Sequence, residues 1–136
     1  MANYSLKDSI YKYLDSVTAV SSLVDIIGWG EMPDTAVSDK RIIYKMISDP
    51  RIPESRLRGQ RWRFWICVPQ SESAPKESCL TISNLMLDNL HRMQGAFGDV
   101  SIHYIDNVSN EDPFFDTDSN CYIAIQDYIL KMKTLE

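Results

Sequence analysis

The chain of 136 residues predicts an α+β fold, a small, mainly antiparallel sheet with helices packed on one face. Three observations support this. Two stretches repeat apolar residues at three- and four-residue spacing, the stretch QRWRFWICV alternates with a period of two, and no alternation of strand and helix is sustained long enough to build a parallel sheet. With 44% hydrophobic and 24% charged residues, residues 1–136 suit a single globular domain whose core needs no disulfide or metal to hold it.

The first helix follows Ser5 and Asp8, which resemble a capping box, and carries Leu6, Ile10, Tyr13, Leu14 and Val17 on one face. Val20, Leu23 and Val24 suggest one more helical turn, which Gly28 and Gly30 break; a turn or a short strand is expected around Trp29. Glu31 to Lys40, with Pro33 and two aspartates, reads as a surface loop. Arg41 to Ser48 is β-branched and aromatic and predicts a strand. In the next strand Trp62, Phe64, Ile66 and Val68 point to one face, and Arg61, Arg63, Trp65 and Cys67 to the other. Between these strands Pro50 to Gln60 predicts a projecting, arginine-rich hairpin loop.

A serine cap and Pro75 introduce the second long helix, with Cys79, Ile82, Met86, Leu90 and Met93 on its apolar face and an end expected at Gly95. Val100, Ile102 and Tyr104 form a third strand. Asn107 to Asn120 then reads as a loop with Phe114 and Phe115 exposed at its centre. Cys121 to Lys133 closes the domain as a long strand, its β-branched and aromatic content outweighing helix.

The net charge of -5 disfavours a general nucleic-acid binder, which neutralises phosphates with Lys and Arg. The charges are unevenly distributed. Five of the seven arginines, Arg51, Arg56, Arg58, Arg61 and Arg63, share one stretch, whereas Asp106, Glu111, Asp112, Asp116 and Asp118 share another that has no Lys or Arg. Opposed patches on one chain suit head-to-tail contacts, which close into rings when the rotation permits. No run of about 18 apolar residues predicts a membrane span, and the first residues lack the pattern of a secretion signal, so the cytosol is the expected compartment.

Chemistry-bearing motifs are sparse. Cys67, Cys79 and Cys121 are odd in number and widely spaced, so they are expected reduced and mostly buried. His91 and His103 belong to no metal or nucleophile motif; a triad of Cys79, His103 and Asp106 can be drawn on paper, but spacing does not bring it together. Asp116, Asp118 and Asn120, with Asp127 as a twelfth ligand, imitate a calcium loop, yet Cys121 stands where such a loop requires glycine. No Gly-rich phosphate motif is present. No enzyme activity, cofactor or metal is therefore expected.

The leading helix SLKDSIYKYLDSVTAVSSLV, the turn IIGWGEMP, the strand RIIYKMISD, the aromatic strand RWRFWICV, the helix ESCLTISNLMLDNLHRM and two closing strands around an acidic loop resemble, in that order, the tail terminator (tail completion) proteins of long-tailed bacteriophages. The resemblance implies a homo-oligomeric ring, commonly a hexamer, that caps the tail tube, stops its polymerisation and presents the surface joining the head. It also implies a tail tube protein and a head-completion or neck protein as partners, and a place in the virion's tail-neck region after assembly in host cytoplasm. Charge and expected exposure nominate Arg56, Arg58, Arg61 and Arg63 on the hairpin loop, and Asp112, Phe114, Phe115 and Asp116 on the late loop, as interface residues. Other readings are another neck or head-closure component, or an accessory protein that binds DNA through the arginines or mimics it through the acidic stretch.

Overall fold

A computed structural model describes residues 6–33, 35–48, 57–97 and 100–133, with the backbone alone at 57, 58, 132 and 133. The described elements are α1 (Leu6–Ser16), α2 (Thr18–Ser21), β1 (Ile26–Trp29), β2 (Arg41–Ser48), β3 (Leu57–Pro69), α3 (Pro75–Leu90), β4 (Gly95–Phe97), β5 (Val100–Asp116) and β6 (Cys121–Lys133). The strands form one mixed sheet in the order β1-β2-β3-β6-β5-β4, curled as a half-barrel. Every described pairing is antiparallel except that of β1 with β2. The α+β prediction is thus met.

The helices cover one face of the sheet. Leu6, Ile10 and Leu14 of α1 and Cys79, Ile82, Met86 and Leu90 of α3 meet Ile42 and Tyr44 of β2, Trp62, Phe64, Ile66 and Val68 of β3, and Ala124, Tyr128 and Leu130 of β6 in the main core. Burial of this apolar area is the dominant favourable term of folding. Polar groups drawn into the core are satisfied: Tyr128 Oη donates to Gln126 Oε1 at 2.8 Å, Gln126 Nε2 donates to the Ser83 carbonyl at 2.9 Å, and Trp62 Nε1 donates to Gln60 Oε1 at 3.0 Å. Each would be costly if left unpaired.

A second, smaller core lies on the opposite face at one end of the sheet. There the loop before β2 folds over, Val37 N–H donating to the Ser119 carbonyl at 2.9 Å, so that Val37, Ile43, Cys67, Cys121 and Ile123 are buried together, with Met32, Trp65 and Ile125 at the margin. All three cysteines are reduced and buried, and desolvation pushes their thiols up in pKa.

Several boundaries differ from expectation. Asn107 to Asp116 is strand, not loop: β5 runs on against β6 through three register shifts, and only Thr117 to Asn120 turn. β-Bulges absorb the Pro, Asp and Asn content that reads as a loop in sequence. Leu57 to Gln60, assigned to the arginine loop, belong to β3. The helix ends at Leu90 rather than Gly95, because Gly95 opens β4, a strand too short to leave a period. No serine caps that helix; Ala74, left-handed at φ 48°, precedes Pro75 without a side-chain capping bond. Ser5, Pro50 and most of the arginine loop lie outside the described residues.

Candidate functional site

The period-two alternation of β3 sends Arg61 and Arg63 to the face away from the helices, and register sets Arg63 opposite Asp127 of β6. Both guanidiniums close on that carboxylate. Arg61 Nε and Nη2 donate to Oδ2 at 3.0 and 2.7 Å, while Arg63 Nε donates to Oδ1 at 2.8 Å and its Nη2 to Oδ2 at 3.0 Å. The Asp127 side chain is 2% exposed, the arginines 38% and 37%. Burial alone would push the Asp127 carboxyl up, but the hydrogen bonds and charges of Arg63 and Arg61 outweigh it and hold the group below the ordinary carboxylate range. Arg63 is in turn held more basic by its bond to Asp127, with Glu111 of β5 adding to the field. A cationic pair on β3 thus faces one buried carboxylate on β6, and two of the nominated arginines turn donors toward the inside of the fold.

The other nominees divide. Arg56 lies outside the described residues, and Arg58 sits on β3 at a position where only the backbone is described. Asp112, Phe114 and Phe115 are exposed on β5, the two rings at 41% and 38%. They flank the edge of the sheet on its two sides: Phe114 lies opposite Ile123 of the small core, while Phe115 meets Tyr122 edge-on at 5.5 Å between ring centroids. Asp116 accepts hydrogen bonds from the Ser119 N–H at 3.0 Å and hydroxyl at 2.6 Å, so its carboxylate secures the turn. The structure brings the aromatic and acidic nominees together on one hairpin; it leaves Arg61 and Arg63 two strands away, on β3.

The calcium-loop imitation dissolves for the same reason, since Asp116 holds its own turn and Asp127 holds two arginines. Among the described residues no group of three or more His, Cys, Asp or Glu side chains stands close enough to bind a metal ion. Cys79 is buried against the Ile66 carbonyl, His103 is exposed on β5, and Asp106 lies 3.9 Å from His91, so the paper triad does not form. A shallow cavity of about 270 Å³ lined by Tyr11, Asp15, Ser21, Val24, Asp25, Ile26 and Ile27 contains no nucleophile paired with a base.

Sequence reasoning missed a second exposed apolar cluster at the opposite edge of the sheet. Trp29 at the end of β1 is 57% exposed, with the Lys7 ammonium 4.8 Å above its ring; Tyr11, Ile26, Met46 and Ile47 are each at least 40% exposed nearby on α1, β1 and β2. The turn IIGWGEMP marked Trp29, but its exposure follows from how early β1 stops beside β2, which no local pattern encodes.

No protein-family model matches the chain, and no curated protein matches it. Among solved structures the fold is similar to a chain from the virion of a native gene transfer agent (GTA) particle, at a TM-score of 0.69 and 7% identity, over 96% of each chain.

Proposed function

We propose that this protein is a structural component of a phage-type virion, and specifically a tail terminator: a ring, commonly a hexamer in that family, that caps the tail tube, ends its polymerisation and offers the surface that joins the head. The observation that carries the reading is the similarity of the whole fold, 96% of each chain, to a chain of a phage-like particle. The resemblance in element order to tail terminators points the same way. Binding would do the work, through contacts with neighbouring copies, a tail tube protein and a head-completion or neck protein. The exposed aromatic residues at both sheet edges supply contact area for it. Sharing of Asp127 by Arg61 and Arg63 cancels one of their two positive charges, which weakens the DNA-binding reading.

Electron microscopy of tails from a particle-producing strain lacking the gene tests this. Overlong, headless tubes are expected. Tails of normal length beside unattached heads would make the protein a joining component instead, and normal infectious particles would remove it from the virion pathway.

A further inference from the structure

At each edge of the sheet a long strand outruns a short one. Pairing of β1 with β2 stops at Trp29 and Tyr44, with the Gly30 N–H closing on the Tyr44 carbonyl, so Lys45 to Ser48 have no strand on that side among the described residues. At the other edge β4 pairs only with Val100 to Ile102; Arg92, Met93 and His91 take the backbone of Ile105 and Asn107, and Val108 to Asp116 have no strand beyond them among the described residues. Both overhangs carry exposed apolar side chains. One carries Met46 and Ile47 beside Trp29, the other Val108, Phe114 and Phe115.

Their charges differ at one point: the hairpin is acidic and the far edge presents a lysine. From Asn107 to Leu130 the sequence has no Lys or Arg, and Glu111, Asp112 and Asp118 are exposed on the hairpin. Lys7 lies over Trp29 at the far edge, whereas Lys45 there is already paired with Glu31, so Lys7 is the cation the carboxylates would meet. Register shifts, Pro113 and adjacent carboxylates blunt the β5 edge against simple strand addition, so contact there falls to side chains.

We infer that the two edges are the two halves of one heterologous contact between copies of this chain: the β5–β6 hairpin of one protomer, through Val108, Phe114 and Phe115 with its carboxylates, docks against Trp29, Met46 and Lys7 at the β1–β2 edge of the next. Two different surfaces on opposite edges leave each protomer one free half at either end, so the contact repeats and closes when the rotation permits. This inference rests on the ring reading above and specifies its contact.

Sedimentation of the purified full chain, with far-UV circular dichroism to check folding, tests it through F114S/F115S and W29S/M46S. Each variant is expected to stay folded and to weaken assembly by roughly 30-fold or more, the scale of an interface hot spot. Mixed together they are expected to form a heterodimer and nothing larger, since one intact half from each remains. D112K/D118K, which alters only exposed carboxylates, is expected to weaken assembly with the fold unchanged. Assembly undiminished in all three variants would overturn the docking mode while leaving the ring reading standing. Wild-type chain that stays monomeric at every concentration would overturn both.

Discussion

The two faces of β3 bury their residues by different means. Toward the helices Trp62, Phe64, Ile66 and Val68 are at most 3% exposed, sealed by continuous apolar packing. On the other face Cys67 disappears under the loop that carries Val37, Trp65 is half-buried at its margin, and Arg61 and Arg63 share the buried carboxylate of Asp127. A strand's alternation therefore assigns its sides but not what covers them. The helix-covered side is closed by apolar area throughout, whereas the far side is closed by apolar area only under the Val37 loop and by an ion pair beyond it, and desolvation makes the ion pair the weaker device.

The largest effect that would test this contrast is on the helix side. Phe64→Ala is expected to cost about 3–5 kcal/mol of stability in urea unfolding, the range for deleting a fully buried aromatic ring. Asp127→Ala should cost less, about 2 kcal/mol, below the usual range for a broken buried ion pair because both guanidiniums keep partial contact with water. If Asp127→Ala proved the more damaging, the ranking of the two faces would reverse.

The pH dependence of Asp127 sharpens the point. Its folded pKa lies below its unfolded value of about 3.9, so its contribution is fully present above that value and is lost as pH falls through the folded pKa. Wild-type stability should decline below about pH 4 more steeply than that of Asp127→Asn, measured by urea midpoints across the acid range. Tyr128→Phe, which removes the donor to Gln126 Oε1, is expected to cost about 1 kcal/mol in the same assay. The smallest effect belongs to Leu80→Ala on the exposed side of α3, expected within about 0.5 kcal/mol of wild type.

What the sequence revealed followed local periodicity. The apolar stripe of α1, the two faces of β3, the helix starting at Pro75 and the strand from Cys121 are all set by spacing that a single segment contains. The continuation of β5 past Asn107 was hidden because bulges break its alternation, and β4 because three residues have no period. The site followed the same rule. Exposure of Phe114 and Phe115 was readable from their acidic, polar surroundings. The engagement of Arg61 and Arg63 was not, since Asp127 lies 64 residues from Arg63 in the chain and meets it only through sheet register. Nor was the exposure of Trp29, because it depends on where β1 stops beside β2.

The strand order carries a kinetic consequence. β6, the last of the six strands in chain order, sits inside the sheet between β3 and β5, so the middle of the fold is the part synthesised latest. Until it arrives β3 and β5 cannot join across it, and the β1–β2–β3 and β4–β5 segments wait as separate pieces with apolar faces uncovered. Pairing that depends on contacts so distant along the chain folds more slowly than local pairing. During that interval the waiting strands are open to wrong partners, and the nascent chain is more prone to aggregation than the finished domain.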